Sequence, residues 1–230
     1  MNDDNNSLLK VPIFSTLSED EVKEIQSYLI RHKFRKKEDI FSEGDPSEWF
    51  YILMSGKVKI TKLSLDGREI IVELISPADF FGGFAVLKGF PYPANAIAME
   101  DSDILKISRH NLLMVLERFP NIMYEITSSL GDRMREFHDT LKNIALERVE
   151  SRIASLFLKL ADKIGEKNNN DKSILIDMRL TKQDIAEMVG TTVETTIRII
   201  SRFKKTGIVT DTGGKIIIKD MGKLKEIVSL

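Results

Sequence analysis

From Pro120 onward the apolar residues of this chain recur at helical spacing. Met123, Ile126, Leu130, Met134, Phe137, Leu141 and Ile144 follow one another at steps of 3, 4, 4, 3, 4 and 3, and Gly131 is the only breaker in the run after Pro120-Asn121. Steps alternating between three and four keep side chains on one stripe of a helix, as in a coiled coil. A helix of some 25 residues extends roughly 37 Å, farther than a small sheet domain can cover. The stripe is therefore expected to pack partly on its own sheet and partly on a second copy of the chain, and the seven residues are assigned to the contact of a parallel homodimer.

The segments on either side differ in kind. Ser18, followed by Glu19, Asp20 and Glu21, is a helix N-cap with acids in the first turn, and Val22, Ile25 and Leu29 recur behind it at helical spacing. From about residue 33 to 107 the chain breaks into short runs of strand composition. Turn chemistry punctuates them at Glu43-Gly-Asp-Pro46, Ser55-Gly56, Asp66-Gly67 and Ser76-Pro77. That regular spacing predicts an antiparallel sheet domain of about eight strands. Beyond the long helix, a second helix is expected over about Leu146 to Lys163, then a polar surface loop from Gly165 to Ser173, and a strand at Ile174 to Ile176.

The next stretch carries the chemistry. Thr181-Lys-Gln-Asp184 is a capping-box variant opening a helix whose apolar residues are Ile185, Ala186 and Val189; Gly190 ends it. Thr191 or Thr192 caps a second helix through Lys205, with Ile197, Ile200 and Phe203 read as its buried face and Glu194, Thr195, Arg198, Arg202 and Lys205 largely off it. Helix, glycine turn and polar-faced helix make a helix-turn-helix. Ile208-Val209, Gly213-Gly214-Lys215 and Ile216 to Ile218 read as a β-hairpin wing.

An arginine entering the major groove can donate two hydrogen bonds to guanine O6 and N7, and a glutamate can accept from cytosine N4. Glu194 and Arg198, one turn apart, are suited to both tasks. Gln183, Thr192, Thr195, Arg202 and Lys204 are assigned to phosphates, which position without specifying, and Thr191 is counted with the DNA-facing residues. The competing reading is a surface Glu–Arg pair that stabilises its own helix by a few tenths of a kcal/mol.

Charge distribution favours the first reading. Residues 1–140 carry 17 Lys/Arg against 23 Asp/Glu, a net −6, whereas residues 141–230 carry 17 against 12, a net +5. A basic C-terminal part on a nearly neutral chain suggests double-stranded DNA as the partner of that part alone. The absence of cysteine excludes disulfides, cysteine-ligated zinc and iron–sulfur clusters, and thiol catalysis. No nucleophile–base set, metal-ligand spacing or phosphate-cradling glycine loop is visible, so an enzyme is not expected. The apolar stretches Ile70–Ile75, Phe80–Leu87 and Ile97–Met99 fall far short of the roughly 20 residues of a membrane span. The start, Met1-Asn-Asp-Asp-Asn-Asn, lacks the form of a secretory signal. A cytoplasmic protein without a membrane partner is the expectation.

Sheet domain, long helix and winged helix-turn-helix, in this order, resemble the CRP/FNR superfamily of bacterial transcription regulators over essentially the whole chain. Gly44-Asp-Pro-Ser-Glu-Trp-Phe-Tyr-Ile-Leu-Met-Ser-Gly56-Lys-Val resembles the family's β-roll signature. Phe80-Phe-Gly-Gly-Phe-Ala85 and Tyr92-Pro-Ala-Asn-Ala96 stand where the family has its effector cassette, and Thr191 to Arg198 resembles its recognition helix, with Glu194 and Arg198 at the base-reading positions. The resemblance implies an α+β architecture. An antiparallel β-roll (cupin-like jelly roll) sensor domain would occupy residues 1–120, a dimerisation helix 121–147, and a winged helix-turn-helix DNA-binding domain 148–230. It also implies contact with RNA polymerase and control by a small-molecule effector.

The cassette departs from the cyclic-nucleotide-binding members in both polar anchors. Their ribose-binding glutamate is Gly83 here, and their phosphate-binding arginine falls at Pro93 or Ala94. A buried phosphate without a cationic partner costs several kcal/mol in desolvation, so an effector other than cyclic AMP or GMP is expected. Phe81, Gly82, Gly83, Phe84, Ala85, Tyr92, Ala94, Asn95 and Phe137 are the candidate pocket for an apolar ligand or a planar cofactor such as haem, the bland reading of Phe80, Phe81, Phe84, Phe90 and Tyr92 being plain core. His138, beside Phe137, is the best placed of the three histidines to ligate haem. The fumarate-nitrate type has a serine just before the recognition arginine, where this chain has Ile197, so the outer operator bases stay open. The alternative function is a small-molecule or cyclic-nucleotide binding protein whose C-terminal domain is an interaction module.

Overall fold

The computed structural model describes residues 8–65, 67–168 and 173–229; the acidic start, Asp66 and the middle of the polar tract before Ser173 lie outside them. Contacts divide the chain into two compact units, one running to Met134 and the other beginning at Arg135.

The first unit opens with a 3-10 turn, Pro12–Phe14, and helix α1, Glu19–Gln26, begun by a complete capping box: the Glu21 N–H donates to the Ser18 hydroxyl and the Ser18 N–H to the Glu21 carboxylate. Eight strands follow: β1 Ile30–Phe34, β2 Asp39–Phe41, β3 Trp49–Ser55, β4 Val58–Leu63, β5 Glu69–Ile75, β6 Phe80–Phe81, β7 Asn95–Ala98 and β8 Ser102–Ser108. They form two four-stranded antiparallel sheets, ordered β1-β8-β3-β6 and β2-β7-β4-β5. This interleaved order is that of an eight-stranded jelly roll, as the motifs implied. Buried residues of both sheets, among them Phe50, Ile52, Leu53, Ile75 and Ile104, fill the core. The turn between β3 and β4 requires glycine: Gly56 has φ of +91°, and a β carbon there would lie 2.3 Å from the Ser102 hydroxyl.

One segment of the expected sheet is instead helical. Residues Gly83–Lys88 form α2, a short helix that opens at left-handed Gly82 and closes at left-handed Gly89. Helix α3, Arg109–Arg118, and helix α4, Pro120–Leu146, follow.

The stripe on α4 divides. Ile126, assigned above to a dimer contact, is 1% exposed and belongs to the core of the first unit together with Ile122, while Leu130 packs partly against it. Met134, Phe137 and Leu141 are 60, 56 and 55% exposed, and Met123 and Ile144 about two-fifths exposed. Arg133, on the same helix, reaches Asp79 at 3.0 Å and Glu73 at 3.2 Å, donates to the Phe80 carbonyl at 2.7 Å, and lies over the Phe80 ring. That clamp had no periodic signature in the sequence.

In the second unit, helix α5, Val149–Ile164, is followed by β9, Gly165–Lys167, and β10, Ile174–Arg179. Gly165 to Lys167, expected as loop, pair antiparallel with Ile176 to Ile174. Helices α6, Lys182–Val189, and α7, Val193–Lys205, lead to β11, Val209–Thr212, β12, Lys215–Ile218, and the closing helix α8, Met221–Ser229. The β11–β12 hairpin joins β10 and β9 in a sheet ordered β11-β12-β10-β9. Its two-residue turn, Gly213-Gly214, has both φ values positive, which suits the twist of a tight hairpin.

Candidate nucleic-acid interface

Local chemistry sets the angle between α6 and α7. The Thr181 N–H donates to the Asp184 carboxylate at 2.8 Å and the Asp184 N–H to the Thr181 hydroxyl at 3.0 Å, so α6 starts in a reciprocal box. Gly190 ends it in the left-handed region, φ +66°, and the Thr191 N–H turns back to the Ala186 carbonyl at 3.0 Å. Thr192, not Thr191, then caps α7, accepting from the Thr195 N–H at 3.2 Å.

The buried face of α7 consists of Thr196, Ile199, Ile200 and Phe203. The Thr196 hydroxyl, fully buried, donates to the Thr192 carbonyl at 3.1 Å and so does not need an external partner. Ile197, expected on the buried face, is 50% exposed. At 100° per residue Ile199 lies closer to the axis of the buried face than Ile197 does, which places Ile197 on the flank of the outward surface.

Glu194 and Arg198 stand outward on this surface, and among the described residues neither has an ion-pair or hydrogen-bond partner. The Glu–Arg pair of the competing reading does not form. Thr195 is half-buried and Gln183 exposed, its amide donating to the Glu187 carboxylate at 2.6 Å. Two further residues assigned to phosphate are ion-paired within the protein: Arg202 with Glu150 of α5, and Lys204 with Asp211 of the wing at 2.5 Å. The Lys204 ammonium holds the Asp211 carboxyl below the usual carboxylate range. Lys182 lies nearby, and burial followed by the Lys204 charge pushes its ammonium down from its ordinary value. Arg152, which the sequence reading missed, donates to the Val189 carbonyl at 2.7 Å. Alternating residues of an amphipathic helix gave no sign of that contact.

The candidate effector pocket does not have the expected form. Phe81, Ala85, Tyr92 and Ala94 are buried, and the rings pack on one another: Phe41 stacks on Tyr92 at 3.8 Å and Tyr51 on Phe81 at 5.1 Å. The Tyr92 hydroxyl donates to the Trp49 carbonyl at 2.6 Å and accepts from the Trp49 N–H at 3.2 Å. Asn95 receives the Glu43 N–H at 2.8 Å. Phe84 is exposed and meets Phe90 edge-on, and Phe137 lies in the second unit, exposed on α4. A groove of about 490 Å³ on the first unit is lined by Pro46, Ser47, Glu48, Lys88, Phe90 and Arg109, and includes none of the nine expected residues. The rings of this cluster fill the space between them, and none of His32, His110 and His138 lies in it, each being exposed in the single chain.

The comparisons agree with this architecture. Residues 31–119 match the cyclic nucleotide-binding domain family and residues 151–227 the Crp-like helix-turn-helix domain family. The chain is 28% identical over 216 residues to the cyclic AMP receptor protein of Thermus thermophilus, covering 94% of this chain and 96% of the relative. It is 25% identical over 204 residues to the anaerobic regulatory protein of Bacillus subtilis, covering 88% and 85%. The solved structure of FixK2 from Bradyrhizobium japonicum shares the fold, with a TM-score of 0.76 at 22% identity over 86% of this chain and 96% of that one. A cyclic nucleotide-binding domain followed by a Crp-like helix-turn-helix domain, matched in that order, makes the chain a member of the CRP/FNR superfamily of DNA-binding transcription regulators.

Proposed function

We propose that this protein is a homodimeric, sequence-specific DNA-binding regulator that reads an inverted repeat through two copies of α7. One observation carries the reading: Glu194 and Arg198 stand unpaired on the outward face of a helix whose opposite face is buried. Unpaired Arg and Glu one turn apart match the donor and acceptor edges of a G·C pair. Thr191, Thr192 and Thr195 at the start of α7, and Gln183 in the first turn of α6, supply phosphate contacts. The exposed half of the α4 stripe, Met134, Phe137, Leu141 and Ile144, supports pairing with a second copy. A two-fold dimer places its recognition helices in half-sites about one DNA turn apart.

The effector is not a cyclic nucleotide. Although the Thermus relative is named for cyclic AMP, Gly83 here is buried so closely that a β carbon would lie 2.8 Å from the Phe50 ring. A glutamate does not fit that place without displacing the core. Family membership supports regulation through a different small molecule and contact with RNA polymerase.

Selection of bound duplexes from a random library, with native mass spectrometry of the protein, tests the reading. The expected result is a two-chain species and an enriched inverted repeat whose binding weakens steeply with salt. A monomer that enriches no sequence would overturn it and favour the alternative of an interaction module.

A further inference from the structure

Half of the Ile197 side chain faces solvent on a helix whose other outward residues are charged or polar. The helix has enough apolar residues to bury without it, since Ile199, Ile200 and Phe203 already make the contact with the rest of the unit. By angular position Ile197 stands about 60° from Glu194 on one flank of the outward face, with Thr195 and Arg202 on the other. Val193, one turn earlier and half-buried, lies on the same flank, so the two branched side chains form a small apolar edge beside the base-reading pair.

Resting on the reading above, in which α7 enters the major groove, we infer that Ile197 is a specificity-determining residue that packs against the C5-methyl group of a thymine. That methyl is the only apolar group that the base pairs display in the major groove. Ile197 has no hydrogen-bonding atom of its own, so its preference is for a methyl and not for a donor or acceptor. Val193 shields the same contact from water. The preferred thymine lies beside the G·C pair read by Glu194 and Arg198, once in each half-site.

The test uses the full-length protein and the duplex enriched from the random library. Each thymine is replaced in turn by deoxyuridine, which removes the methyl and leaves the hydrogen-bonding edge intact. For the wild-type protein, replacement at one position per half-site is expected to weaken binding roughly fourfold, the factor that burial of one methyl-sized group is worth. Ile197→Ala is expected to bind the thymine duplex more weakly and to be indifferent to that replacement. Ile197→Val retains a reduced sensitivity. Circular dichroism of both variants establishes that α7 is intact. Wild-type binding that is unmoved by deoxyuridine at every position overturns the inference, as does an Ile197→Ala protein that loses as much as the wild type does. In both cases sequence-specific binding survives, so the function stands while the role of Ile197 falls. A library that enriches no sequence overturns both.

Discussion

The guanidinium of Arg152, on α5, donates to the backbone carbonyl of Val189 at 2.7 Å, one residue before the glycine that turns α6 into α7. The last carbonyls of a helix have no partner within it, and this contact satisfies one of them with a charged donor. It ties the supporting helix to the corner that sets the direction of α7. Arg152→Ala is expected to lower the stability of the second unit by about 1.5–3 kcal/mol, the range for a hydrogen bond to a charged group. Chemical denaturation followed by circular dichroism measures it, and an unchanged midpoint would show that the contact contributes nothing.

Arg198→Ala is expected to abolish sequence preference while leaving the dimer folded. Each bidentate contact to guanine is worth about 1–3 kcal/mol, and the dimer loses two. Residual binding to random DNA should remain, since phosphate contacts are untouched. Competition between the enriched duplex and a scrambled one provides the measurement, and retained preference would remove Arg198 from its role.

Opposite outcomes are expected at two positions of one helical stripe. Phe137→Glu, at an exposed position, should dissociate the dimer without unfolding the first unit, as seen by sedimentation. Ile126→Ala, at a position 1% exposed, should instead cost about 2–5 kcal/mol of stability through cavity formation. If Phe137→Glu remains a dimer, the contact lies elsewhere.

Tyr51 and Tyr92 have phenols pushed above their ordinary value, in both cases first by burial. The unfolded chain therefore releases these protons at a lower pH than the folded one. The stability associated with the neutral phenols is complete below the ordinary tyrosine range near pH 10 and is lost as pH rises through the folded values. Phenolate absorbance during an alkaline titration should lag for these two residues until the first unit unfolds, and Tyr92→Phe should remove part of the lag. Ionisation of all tyrosines before any loss of structure would contradict this packing.

Much of the architecture was legible in the residues because the interactions that specify it are local. The boxes at Ser18–Glu21 and Thr181–Asp184, the left-handed turn at Gly190, and the Gly213-Gly214 hairpin follow from side chains and backbone freedom within a few residues of each other. That Glu194 and Arg198 share the outward side of one helix also follows from their spacing. Tertiary structure decided what local spacing leaves degenerate. Ile197, Ile199 and Ile200 spread over about 160° of the helix circumference, and only packing against the rest of the unit selected Ile199 and Ile200 for burial. The α4 stripe is uniform in sequence, yet Ile126 is covered by its own sheets and Phe137 is not, because periodicity defines a surface and not its partner. The aromatic residues of the expected effector pocket were visible as a cluster, but whether rings enclose a ligand or stack on each other depends on distances of a few ångströms between separate strands. In this chain Phe41 and Tyr92, 3.8 Å apart, occupy that space themselves.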